Sequence, residues 1–280
     1  MKVVFLGSPE DAVPTLRAVV DAGHDVALVV TQPDRRRGRG TATTPSPVKA
    51  AALELGLDVR TPARARAVVA EVGATGAELG AVVAFGQLLP DALLEALPSG
   101  FVNLHFSLLP RWRGAAPVER AILAGDTETG VCVMRIDSGL DTGPVYASER
   151  TPIDPDETAG ELRARLVDIG TRLMIETLPR VPELEPVLQE GEPTYADKLA
   201  VEEFRIDWSC PGDEIMRVVR AGNPRPGAWT TVAGKRMKVW RARLTDAGTV
   251  VPAEVQPEGK ARMNWDDWQR GHPGAPEPGS

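Results

Sequence analysis

A chain of 280 residues with a net charge of −7 is long enough for one large domain or two ordinary ones, and too acidic to hold nucleic acid through its overall field. Contact with RNA would have to come from local basic patches: Arg35–Arg39, Arg111–Arg113 and Lys235–Arg243. Two cysteines, Cys132 and Cys210, cannot build a disulfide framework or a zinc site alone, and the apolar run Val3–Leu6 is too short for a signal peptide or membrane span, so a cytoplasmic protein is expected.

Val3–Leu6 reads as a buried strand, followed by a turn at Gly7-Ser8-Pro9, a helix to Ala22 and a second strand over Val26–Val30. Strand, helix and strand in so short a span make a βαβ unit and predict a parallel sheet. No G-x-G-x-x-G follows Leu6, which argues against a dinucleotide-dependent oxidoreductase. Thr31 to Pro47 is a long polar loop carrying Arg35, Arg36, Arg37 and Arg39. Its composition alone favours a solvated loop over a phosphate-binding arm. Val48–Leu55 and Ala63–Val72 read as helices, Val59 as the start of a brief strand, and Leu79–Ala84 as a buried strand. The last runs into Phe85–Pro90, a loop at a strand's C-terminal end, where open α/β sheets hold their ligands.

Phe101–Phe106 is the next strand, and Gly130–Ile136 and Pro144–Arg150 flank an acidic turn, Asp137–Gly143. Glu157–Leu178 is a long helix with Leu162, Leu166, Ile169, Leu173 and Leu178 on its buried stripe. Pro179–Pro193 is rich in Pro and Glu and reads as a linker. A short helix over Cys210–Ala221 and strands over Ala228–Val232 and Met237–Leu244 predict a smaller β domain. Gly271–Ser280 offers no core-forming residue, so disorder is expected.

Chemistry concentrates on the Phe101–Phe106 strand. Side chains alternate along a strand, so Phe101, Asn103 and His105 share one face, while Val102, Leu104 and Phe106 share the other. A buried amide or imidazole needs partners or costs stability. Asn supplies an N–H that can steady an oxyanion, His can carry a proton near neutral pH, and Asp141 can orient the imidazole. With no Ser or Cys nucleophile in the set, direct transfer is the chemistry these residues allow. Each also has a structural use: Asn103 as a strand cap, His105 bonded to a carbonyl, Asp141 as a turn residue. The residues alone leave both uses open. One histidine with scattered aspartates lacks metal-ligand spacing, so no metal is expected.

Asn103-Leu104-His105 with Ser107-Leu108-Leu109-Pro110, followed by Ser138-Gly139-Leu140-Asp141-Thr142-Gly143, resembles the formyltetrahydrofolate-dependent formyltransferases. The resemblance implies an α/β fold: a Rossmann-like, mostly parallel sheet with helices on both faces, plus a small C-terminal OB-like β-barrel. It divides the chain into a catalytic domain over 1–180, a linker over 181–206, the OB-like domain over 207–270 and a disordered tail over 271–280. It implies Asn103, His105 and Asp141 as catalytic residues, and 10-formyltetrahydrofolate as co-substrate, held by Phe85, Gly86, Leu88, Ser107, Leu108, Leu109, Pro110, Asp137 and Leu140.

Further stretches are similar to the branch of that family acting on methionyl-initiator tRNA: Thr31-Gln32-Pro33-Asp34, Gly38-Arg39-Gly40, Pro45–Lys49, Arg111–Pro117, Arg205–Trp208, Asn223–Trp229 and Lys238-Val239-Trp240. They imply a monomer that formylates the methionyl α-amino group for translation initiation, with tRNA contacts from Arg35, Arg36, Arg37, Arg39, Lys49, Lys235, Arg236, Lys238 and Arg241. Formyltransferases of glycinamide ribotide or sugar nucleotides would share the three catalytic residues but lack the arginine-rich insertion, and a non-catalytic folate- or RNA-binding relative is the third alternative. Two departures stand out. Thr41-Ala42 follows Gly40 where bacterial relatives often place basic residues. Only Asp246–Glu254 separates the segments like Arg241–Thr245 and Val255–Met263, so about three strands can be counted where an OB barrel has about five.

Overall fold

Val3, Val4, Phe5 and Leu6 are wholly buried, as a strand covered on both faces requires. In the computed structural model, which describes residues 1–36 and 43–273, this strand (Lys2–Gly7) lies inside a seven-stranded sheet. The spatial order is Val145–Pro152, Glu128–Arg135, Phe101–His105, Leu79–Val83, Lys2–Gly7, Asp25–Val30, Val59–Arg60. The last five of these strands run parallel, and Glu128–Arg135 pairs antiparallel with Phe101–His105. The chain builds outward from Lys2–Gly7 on one side, then returns to add Leu79–Val83 on the other. The C-terminal ends of those two strands therefore diverge at a topological switch point.

Phe101 and Leu104 show how the central strand is gripped from both faces. Phe101 joins an apolar cluster with Val4, Leu6, Val30, Val82 and Leu93. Leu104 faces Gly170 in the helix Ala159–Thr177, where an added Cβ would lie 2.8 Å from each Leu104 Cδ. A glycine inside a helix costs about 1 kcal/mol against alanine, and the close approach of Leu104 explains its presence. Both contacts fix the strand that carries Asn103 and His105.

The chain forms two compact units: Met1–Arg113, Gly130–Thr151 and Ala164–Thr194 in the first, and Gly114–Thr129, Pro152–Arg163 and Tyr195 onward in the second. The second unit holds an antiparallel sheet ordered Ala228–Val232, Lys235–Leu244, Val250–Pro257, Met263–Asn264, with the helix Gly212–Gly222 against it. Ile215, Val219, Val239, Val255, Trp265 and Trp268 fill its core.

Several expectations are corrected. The short spacer after Leu244 is a hairpin turn, closed by bonds between Thr245, Gly248 and Thr249, and Val250–Pro257 is itself an eight-residue strand. The sheet thus has four strands rather than about three, although fewer than an OB barrel. Residues 181–206 are not a free linker: Val187 exchanges two backbone bonds with Val145, and Val201–Phe204 forms a 3-10 turn. Residues 65–74 start as a 3-10 turn before becoming helical. The start of the expected tail is placed, because Trp265–Gly271 is helical and His272 stacks on Trp268 at 4.6 Å; residues 274–280 lie outside the described residues. The arginine-rich loop contains a short antiparallel pair, Arg35–Arg36 with Thr43–Thr44. Arg37 and Arg39 lie outside the described residues. Among those described, no helix is long and apolar enough to cross a membrane.

Candidate active site

His105 ends its strand with only 5% of its side chain exposed. Its Nε2 lies 2.9 Å from the Trp112 carbonyl oxygen. A carbonyl only accepts, so Nε2 carries the proton and donates it. In the neutral ring this fixes the tautomer that leaves Nδ1 unprotonated, and Nδ1 is the ring atom nearest Asp141. Nδ1 and Asp141 Oδ2 are 3.6 Å apart, too far for a good hydrogen bond but near enough for the carboxylate to support an imidazolium. The ring can therefore accept a proton at Nδ1.

The backbone around this pair is strained. Trp112, whose carbonyl holds the ring, has φ of 63°, and Asp141 has φ of 51°. Non-glycine residues held in that region cost about 1–3 kcal/mol each, and such costs cluster at functional sites. The acidic turn is tied to itself: Asp137 Oδ1 accepts from the Gly139 N–H at 3.0 Å and from Thr142 Oγ1 at 2.6 Å. At Gly143, a Cβ would fall 2.0 Å from the Arg135 carbonyl oxygen, so only glycine lets the turn close onto the preceding strand. Gln189 then grips the turn from outside, its Nε2 donating to the carbonyls of Asp141 and Gly143 at 2.8 Å each. Nothing in the sequence marks Gln189, which sits in a stretch that reads as a spacer.

Asn103 shares the His105 face and pairs in register with Val82 and Met134. It is the one half-buried residue of its strand, and its side-chain amide makes no hydrogen bond among the described residues. That leaves an uncommitted amide donor on the histidine's face of the strand.

The residues expected to hold folate divide in two. Ser107 is fully buried and donates to the Arg111 carbonyl at 2.6 Å, shaping its own loop. The Phe85 side chain belongs to the apolar core, Leu109 is half-buried, and Leu108 packs on Gly130. Pro110 accepts from the Thr194 N–H, while Asp137 braces its turn. Leu88 and Leu140 are instead 78% and 50% exposed. Phe85 and Gly86 also line a cavity of about 370 Å³ with Ser8, Gln32, Ser46 and Ala84. It opens at the switch point, where Ser8 and Gln32 both donate to the Phe85 carbonyl. Gln32 and Ser46 lie in stretches marked by the family resemblance, but that they share a cavity with Ser8 depends on strand order, which is not written locally.

The cations expected to meet tRNA are differently engaged. Lys49 Nζ forms an ion pair with Asp34, at 2.8 and 2.9 Å from its two carboxylate oxygens. Arg35 and Arg36 lie in the short strand pair. Lys235 is exposed. The Arg236 guanidinium lies 3.9 Å over the Trp229 ring, and Lys238 Nζ lies 4.9 Å from the Trp240 ring centre while donating to the Pro226 carbonyl. Burial, then repulsion from Arg236 and Arg262, holds the Lys238 ammonium below its ordinary pKa. Arg241 pairs with Glu161 from the first turn of the helix Ala159–Thr177.

A donor amide, a proton-accepting imidazole and a supporting carboxylate, set toward the C-terminal end of an interior strand of an α/β sheet, can move a group between two bound molecules without bonding to it. This is the equipment of a direct group-transfer enzyme. Residues 1–178 match the formyl transferase family and residues 198–252 match the formyl transferase C-terminal domain, and the chain belongs to that family. It is 50% identical over 258 residues to the methionyl-tRNA formyltransferase of Ruegeria pomeroyi, covering 91% of this chain and 85% of that protein. The methionyl-tRNA formyltransferase of Cereibacter sphaeroides is 45% identical over 293 residues, covering 98% of this chain and 97% of that one. Among solved structures, the methionyl-tRNA formyltransferase from Clostridium thermocellum shares the fold with a TM-score of 0.63 at 15% identity, over 92% of this chain and 98% of that one. An N-formyltransferase from Helicobacter canadensis in complex with folinic acid and dTDP-3-aminofucose does so with a TM-score of 0.68 at 20% identity, over 88% of each.

Proposed function

We propose that this chain transfers the formyl group of 10-formyltetrahydrofolate to the α-amino group of methionyl-initiator tRNA. The observation that carries the reading is the 45% identity to a methionyl-tRNA formyltransferase over almost the whole of both chains. The donor set fits the chemistry. As the amine nitrogen attacks the formyl carbon, the formyl oxygen gains negative charge, and the free Asn103 amide donates to it. The amine must lose a proton, and the bare Nδ1 of His105 accepts it, with the Asp141 carboxylate supporting the imidazolium. That proton passes to folate N10 as the C–N10 bond breaks, so the enzyme ends as it began. The exposed leucines 88 and 140 suit an apolar heterocycle, and the switch-point cavity suits the aminoacyl end of the acceptor.

Acceptor competition tests the assignment. With one formyl donor, charged initiator tRNA, a nucleotide-linked amino sugar and glycinamide ribotide are offered in turn. Formylation of charged tRNA alone is expected. Preference for either small acceptor overturns the assignment while leaving the formyl-transfer chemistry intact.

A further inference from the structure

We infer that residues 187–194 form a strap that sets the His105–Asp141 separation, with Gln189 as its positioning residue. This deepens, and rests on, the formyl-transfer reading of the same site. His105 ends a strand and Asp141 sits in a turn further along the chain, and each is held in place by this one segment. On the Asp141 side, both amide hydrogens of Gln189 are used, one on the Asp141 carbonyl and one on the Gly143 carbonyl, each at 2.8 Å. Val187 exchanges backbone bonds with Val145 just beyond, at 2.7 and 2.8 Å. On the His105 side, Thr194 Oγ1 accepts from the Trp112 N–H at 2.9 Å, and the Thr194 carbonyl accepts from the Arg113 N–H at 2.9 Å. Trp112 is the residue whose carbonyl fixes the His105 tautomer.

Gln189 is itself locked. Its Oε1 accepts from Arg113 Nε at 3.0 Å and Nη2 at 2.7 Å. Guanidinium only donates and carbonyls only accept, so the amide can face one way, and all four of its hydrogen-bonding positions are filled. The backbone it holds is the left-handed conformation of Asp141, which a non-glycine residue keeps only when its surroundings enforce it. Arg113, from a motif expected to serve tRNA, thus spends its guanidinium inside the catalytic framework.

Formylation kinetics of the full chain test the strap, comparing wild type with Gln189→Ala and Gln189→Glu, alone and combined with Asp141→Ala or Asn103→Ala. Gln189→Ala is expected to lower kcat about 10- to 100-fold while KM for donor and acceptor changes less than about 3-fold. Gln189→Glu keeps the volume and the Arg113 contact but loses both donors, so it stays folded and loses kcat as fully. In the Asp141→Ala background the Gln189→Ala cost shrinks to less than about 2-fold, while with Asn103→Ala it persists in full. A cost undiminished by Asp141→Ala, or near-normal kcat in Gln189→Glu, overturns the inference. If the wild type forms no formylated tRNA, the functional reading fails, and hydrogen exchange still decides the strap. Faster exchange at Gly139 and Val145 in Gln189→Glu upholds it, and unchanged protection there refutes it.

Discussion

Replacing Asn103 by alanine separates catalysis from stability more cleanly than any other change at this site. The Asn103 side chain is half-buried and bonds to no described residue, so its removal strands no partner. The stability cost is then that of an ordinary partly exposed substitution, about 0.5–1 kcal/mol, because none of the mechanisms behind large losses applies. In a chain of this size that corresponds to a fall in Tm of about 1–4 °C. The barrier is another matter. One pre-aimed donor to a developing oxyanion is worth about 3 kcal/mol, so kcat is expected to fall about 10²- to 10³-fold. Asn103→Asp keeps the shape, loses the donor and places a negative charge beside the oxyanion, so it is expected to fall at least as far. Initial rates of formyl transfer to charged tRNA, measured with thermal melts on the same samples, provide the comparison. Near-normal turnover in Asn103→Ala would refute the donor role. A large drop in Tm matching the drop in rate would show that the residue is structural.

Burial pushes the Cys132 thiol up to about 11, while Cys210 is less buried and raised first by desolvation and then by Asp207 and Glu214. One alkylated cysteine, Cys210, is expected in the native protein at pH 8, and two after denaturation; native labelling of Cys132 would contradict the packing beside His105. Thr158 and Glu161 cap the long helix reciprocally, with bonds of 2.8 to 3.3 Å. Thr158→Ala is expected to cost about 1 kcal/mol at pH 7. The Thr158 N–H and hydroxyl, then Arg241, hold the Glu161 carboxyl below its ordinary pKa. That contribution is complete above the ordinary value and fades as pH falls through the lowered one, so the gap between mutant and wild-type melts narrows in acid. A gap that is constant with pH would refute the cap. Gly143→Ala forces a Cβ into the Arg135 carbonyl and displaces Asp141 two residues away; kcat is expected to fall at least about 10-fold, with folate binding largely kept, and unimpaired turnover would show that the turn is not held so tightly.

The parallel sheet was legible because Val3–Leu6, Val26–Val30 and Leu79–Ala84 are short apolar runs divided by helix and turn signals. The alternation along Phe101–His105 also survives in the structure, with Phe101 in the apolar cluster and Leu104 facing Gly170. The strand Val250–Pro257 was not legible. Its two prolines and one glutamate break the strand pattern, and only the hairpin turn before it shows that it pairs. The helix Trp265–Gly271 is too short for a periodic signal and is held by stacked Trp265 and Trp268, 4.9 Å apart. At the site, local sequence could nominate Asn103, His105 and Asp141 but not the groups that orient them. Trp112 acts through its backbone carbonyl, which no residue type reveals, and Gln189 acts across 48 residues of chain. The loop arginines and Lys49 were nominated by charge alone, and charge does not say that Lys49 already pairs with Asp34.

The most direct test of direct transfer is a rapid-quench single turnover with donor labelled in its formyl group and charged initiator tRNA as acceptor. The label is expected to pass from folate to the methionyl amine, with none bound to protein at any time point. Labelled protein that forms and decays at the turnover rate would contradict a site in which Asn103, His105 and Asp141 act without a covalent bond to the enzyme.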